Sequence, residues 1–138
     1  MSTAHEQYRQ TAVQTAPQEQ LIIMLYDGAV RFLEQARMLL QDGKDASAPI
    51  GRTQDIIIEL ASSLNRAAGG EVASNLARLY DFWLHWLLQA HAQRDTAKVE
   101  AVLVMVRELR EAWATLAQQQ KRGAAAAGNQ AAPLNARG

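Results

Sequence analysis

The chain contains no cysteine. That excludes disulfides, thiolate metal sites and a cysteine nucleophile. It also lacks an excess of charge: Lys plus Arg is 14, Asp plus Glu is 14, and the formal net charge is zero. A balanced chain has no basic footprint for nucleic acid or an anionic membrane, so neither is expected as a partner. No uninterrupted apolar run exceeds that from Leu21 to Tyr26, whereas a membrane span needs ~18 residues. The stretch from Met1 to Gln14 is polar and has no apolar core of a secretory signal, so the expected compartment is the cytoplasm. Proline is sparse. Pro17 and Pro49, the two that precede the C-terminal tail, both stand where a helix can begin. Strand-like alternation is absent throughout.

What remains is helical. Apolar residues make up 49% of the chain and charged residues 20%, which suits one packed core. Four long helical segments are predicted. The first runs from Pro17 to Gln41 and is stopped by Asp42-Gly43. The second begins near Asp45 or Ser47 and ends near Asn65. Gly69-Gly70 separates it from the third, Glu71 to Gln93. Arg94-Asp95 is the next turn, and Thr96 is the expected cap of the fourth, which runs to Gln120. Loops this short favour antiparallel neighbours, so the expected fold is an all-α, up-down four-helix bundle over residues 17–120. Residues 1–16 read as a mobile N-terminal arm, and 121–138 as a disordered tail of Ala, Gly and Asn.

At 100° per residue each helix shows an apolar stripe. Val99, Val102, Val106, Leu109 and Trp113 form it in the fourth helix. Val72, Leu76, Leu79, Trp83, Trp86, Leu87 and Ala90 form it in the third, and Trp83, Trp86 and Trp113 are all assigned to the core. The first helix has more apolar surface than a core face needs. Leu21, Ile22, Leu25, Ala29, Phe32, Leu33, Ala36 and Leu40 fill that face, and Ile23, Tyr26 and Val30 extend beyond it. Met24 and Met38 lie elsewhere again, and Ile58 falls among Asp55, Glu59 and Ser62 on the polar side of the second helix. Ile23, Val30 and Ile58 are therefore expected at the surface. A contiguous apolar group there would serve partner binding, with an amphipathic helix as the fitting occupant.

Reactive constellations are missing. The sequence has no phosphate loop, no His-Glu-x-x-His and no Glu-x-x-His. Asp81 and His85 are one turn apart with no third ligand in helical reach, which reads as a solvated pair rather than a metal site. No enzyme activity, metal or cofactor is expected.

The run Tyr8-Arg-Gln-Thr-Ala-Val13, then Thr15-Ala-Pro17, then Leu21-Ile-Ile-Met-Leu-Tyr-Asp-Gly-Ala-Val-Arg-Phe-Leu33 closely resembles the start of the flagellin export chaperones, the FliS family. Gln54-Asp-Ile-Ile-Ile-Glu-Leu60, Gly69-Gly-Glu-Val-Ala-Ser-Asn-Leu76, Leu79-Tyr-Asp-Phe82 and Leu109-Arg-Glu-Ala-Trp113 agree in order and spacing. The similarity covers residues 8–117. It departs from the family at Pro17, which comes one position early without a serine before it. Trp83 stands where methionine is common, and Ile58 where a small or polar residue is.

The resemblance implies a cytoplasmic helical bundle that binds the disordered C-terminal segment of flagellin. It would prevent premature polymerisation and present the subunit to the flagellar export apparatus. Tyr8 would pack the arm back on the bundle; Val13, the other apolar side chain isolated in the polar arm, is read from the residues themselves as a second contact. The resulting protein-binding set is Tyr8, Val13, Ile23, Tyr26, Val30 and Ile58. The residues alone leave one alternative: a generic helical adaptor whose apolar surplus forms a weak homodimer.

Overall fold

The computed structural model describes the backbone of residues 18–67 and 70–137, with side chains for 18–64 and 70–123. The expected arm, with Tyr8 and Val13, lies outside the described residues. Four helices follow one another: α1 (Gln18–Gln41), α2 (Ser47–Ala67), α3 (Glu71–Gln93) and α4 (Thr96–Arg137). Among the described residues there is no strand.

Local chemistry explains the helix ends. Past α1, Gly43 takes φ +71°, its N–H donates to Leu40 O at 3.0 Å and the Lys44 N–H to Leu39 O at 2.7 Å. This paired closure needs a left-handed residue, which glycine supplies without a Cβ clash. The end of α3 closes the same way on a non-glycine. Arg94 sits at φ 52°, with Arg94 N–H to His91 O at 3.4 Å and Asp95 N–H to Ala90 O at 2.9 Å. Asp45 precedes α2 and accepts from the Ser47 N–H at 3.0 Å and the Ser47 hydroxyl at 2.9 Å. Those bonds, the backbone one first, hold its carboxyl below the ordinary range. The cap of α4 is Asp95 rather than Thr96: its Oδ1 accepts from Ala97 N–H at 3.0 Å and Lys98 N–H at 3.3 Å. Aspartate reaches two free N–H groups there and adds a negative charge at the positive helix end.

One boundary differs from expectation. α4 continues to Arg137 instead of stopping at Gln120. Lys121, Arg122 and Gly123 are exposed, so the extension begins without burial. The alanines from 124 to 127 are strong helix formers and favour this extension, whereas Gly128 and Pro133 beyond them do not.

The chain divides into two compact units, one comprising Met24–Arg110 and the other the segments up to Ile23 and from Glu111. Within the first, all four helices take part and their directions follow from pairwise contacts. A Cβ on Gly28 of α1 would come within 3.2 Å of Ile56 Cδ1 on α2, and the Arg52 guanidinium lies 5.8 Å from the Phe32 ring. Numbers rise on α1 as they fall on α2, so the two are antiparallel. Asp27 with Arg110 and Glu34 with Arg107 show the same for α1 and α4. α2 packs on α3. Lys98 at the start of α4 reaches Gln89 Oε1 at 2.9 Å and Gln93 Oε1 at 3.0 Å at the end of α3. The expected antiparallel four-helix bundle is the architecture of this unit.

Its core holds Ala29, Leu33 and Ala36 from α1, Ile50, Ile57 and Leu60 from α2, Trp83, Leu87 and Ala90 from α3, and Val99, Val102, Leu103 and Val106 from α4. Tyr26 and Tyr80 are also fully buried, and their hydroxyls are 2.7 Å apart. Thr53, buried as well, donates its hydroxyl to Pro49 O at 2.8 Å. Trp83 meets Tyr26 edge-on at 6.4 Å and Tyr80 at 5.5 Å. In the other unit Ile22 is buried and Trp113 half-buried, while Leu21 and Leu116 are exposed. Two stripe assignments are corrected. Leu21 is exposed rather than in the core, and so is Val72, at 72%, in the first turn of α3.

Candidate protein-binding surface

The surface of interest begins with α1. Its core face is set by Ala29, Leu33 and Ala36. Residues about half a turn away, Met24 and Arg31, are exposed, and Asp27 and Val30 sit at the margin, half-buried. These four side chains line an open depression of about 470 Å³. Met24, at 65% exposure, supplies its most accessible apolar group.

Charges frame the depression. Arg110 Nε donates to Asp27 Oδ1 at 2.8 Å, and farther along the same seam Arg107 binds Glu34. Both arginines come from α4, so the α1 carboxylates are neutralised across the seam. Further apolar groups are exposed elsewhere on the unit: Ile58 on α2, Phe82 and Leu88 on α3, and Val104 on α4. Phe82 stacks on Trp86 at 5.1 Å, and Lys98 Nζ lies 4.7 Å from the Trp86 ring centroid.

The residues singled out from sequence separate into four groups. Val30 lines the depression. Ile58 is exposed at 56%, as its position among polar neighbours required, but nothing brings it to Val30. Ile23 is half-buried and belongs to the other unit. Tyr26 is corrected: it is a core residue, wholly buried against Tyr80 and Trp83, not part of an exposed surplus. Its place beyond the α1 stripe is filled because α3 offers a hydroxyl for it to bond. Tyr8 and Val13 lie outside the described residues. Met24, set off the core face by the helical period, is exposed as that position implies, whereas Phe82, Leu88 and Val104 were not singled out from sequence as surface features. Placing all the apolar residues of α3 and α4, rather than the stripe alone, on the wheel would have exposed those three.

Asp81 and His85 lie in solvent. His85 Nδ1 is 2.9 Å from Asp81 O and 3.7 Å from its carboxylate. Among the described residues no three His, Asp or Glu side chains gather closely enough to hold a metal ion. Among them, too, no helix is long and apolar enough to cross a membrane.

Fold and surface together define an all-helical protein that exposes several large apolar side chains, two of its surface carboxylates being paired with arginine. The comparisons with known proteins narrow that class. The family model described as Flagellar protein FliS matches residues 1–120. The flagellar secretion chaperone FliS of Salmonella typhimurium is 37% identical over 107 residues, 75% of this chain and 79% of that protein. The Escherichia coli protein of the same name is 35% identical over 107 residues, covering the same shares. The Bacillus subtilis one is 30% identical over 117 residues, 83% of this chain and 86% of its own length. The chain belongs to the FliS family of flagellar secretion chaperones.

Proposed function

We propose that the protein is a cytoplasmic export chaperone, not an enzyme. It holds the C-terminal segment of flagellin, keeps it from polymerising, and presents it to the flagellar export apparatus. The observation that carries this reading is the Met24–Val30 depression, an exposed apolar site with no reactive cluster, in a chain of a secretion-chaperone family. A disordered segment that folds on its partner spends contact energy on ordering itself, so it needs extended apolar surface. Ile23 and Ile58 would be separate contacts for the bound segment, not parts of the depression. Tyr8 and Val13 would act as a weak cover. Burying one apolar side chain is worth about 1.5–3 kcal/mol at most, and ordering the arm cancels much of that.

Co-purification with full-length flagellin, and with flagellin lacking its C-terminal segment, tests the reading. Only the full-length protein should be retained, as a one-to-one complex. A protein that is dimeric alone and indifferent to flagellin would instead be the self-pairing adaptor. Met24→Asp with Val30→Asp should abolish retention while the circular dichroism spectrum stays helical. Deleting residues 1–14 should tighten binding modestly if the arm is a cover. Weaker binding by a deletion variant that stays monomeric would make it a clamp.

A further inference from the structure

Across the seam between α1 and α4, Arg107 and Arg110 meet two α1 carboxylates, Glu34 and Asp27, and a third arginine, Arg31, stands on α1 itself. Arg110 occupies Asp27 and Arg107 occupies Glu34. Arg31 stands between those acids on α1, one turn from each, and is exposed. Among the described residues it has no acidic partner within ion-pair distance, although Asp27 is placed at i−4 and Glu34 at i+3. It lines the depression beside Met24 and Val30. Among the described residues the site therefore carries at its rim a cation with no acidic partner within ion-pair distance.

We propose that Arg31 gives this site its specificity, selecting amphipathic helices that carry a carboxylate beside their apolar stripe. The inference rests on the reading of the depression as a binding site and names the chemistry of what enters it. Guanidinium presents a planar fork that matches a carboxylate with two hydrogen bonds. Met24 and Val30 supply the apolar contact and Arg31 the register. An acid in the partner is favoured, and a lysine at that place meets like charge.

Two synthetic amphipathic peptides, identical except for Glu or Lys at one position flanking the stripe, provide the test. A flagellin C-terminal peptide is measured beside them by fluorescence anisotropy. The wild-type chain should prefer the Glu peptide by about fivefold at low salt, the upper end for an exposed ion pair. The preference should shrink at 1 M salt, where screening acts within about 3 Å. Arg31→Glu should reverse the order, and Arg31→Lys should keep it at reduced strength. Circular dichroism should report unchanged helicity for both variants. If the flagellin peptide binds but the two synthetic peptides bind equally, or if Arg31→Glu keeps the wild-type preference, the assignment of Arg31 is overturned and the binding reading stands. If none of the three peptides binds, both are overturned.

Discussion

At the scale of the residue, the buried hydroxyl pair of Tyr26 and Tyr80 has the clearest consequences. A hydrogen bond within the fold contributes about 0.5–1.5 kcal/mol net. Tyr80→Phe should therefore lower stability by about that much in urea denaturation, though it removes one oxygen only. The phenol of Tyr80 is pushed well above its ordinary 10.0, by burial first and then by Tyr26. A raised folded-state pKa means that the stability it contributes is complete below the unfolded value and is lost as pH rises beyond it. Stability of the wild-type chain should accordingly decline above about pH 10. Tyr80→Phe should decline less over that range, and equal declines in the two proteins would remove Tyr80 as the cause. The hydrophobic wheel could not place Tyr26 because its partner is 54 positions away in the sequence. A phenol beyond the core stripe looks like surface until the facing helix is known.

At the scale of the element, helix ends separate what was legible from what was not. The stops at Gly43 and at Arg94-Asp95 are visible as residue types. The choice of Asp95 over Thr96 as the cap depended on backbone geometry that either residue satisfies on paper. Asp95→Ala should cost about 1 kcal/mol, whereas Thr96→Ala should cost less. Arg94 holds a left-handed conformation that penalises a Cβ. Arg94→Gly should then raise the melting temperature by about 2–4 °C, the gain of relieved strain less glycine's unfolded-state entropy. Gly43→Ala should move it down by a similar amount for the opposite reason. A fall in melting temperature for Arg94→Gly would show that the guanidinium stabilises the α3 end by more than the strain costs.

At the scale of the whole molecule, the helical period made the four elements and most of the core readable. Val99, Val102, Val106, Trp83 and Leu87 recur at helical spacing and are all buried. The charge frame was not readable. Asp27 with Arg110 and Glu34 with Arg107 join residues 83 and 73 positions apart, and nothing local marks them as pairs. The exposure of Met24 and Met38, by contrast, follows from their place off the core stripe of the first helix. The far end of α4 tests the separation of helicity from packing. Truncation after Gly123 should reduce helical ellipticity while leaving the melting temperature within about 2 °C. A much larger drop would mean that the removed segment docks on the rest of the chain.

The contact of Trp83 with two tyrosines also makes the core optically distinct. Ring separations of 5.5 and 6.4 Å are short enough for excitation absorbed by Tyr80 or Tyr26 to pass to the indole before either phenol emits. Native protein should therefore be nearly dark in tyrosine emission from that pair. Trp83, shielded from water, should emit toward the blue relative to an exposed indole. Loss of α1 from α3 would uncouple Tyr26 while leaving Tyr80 coupled through its own helix. The chain thus carries an internal reporter that separates departure of its first helix from melting of its third, without an added label.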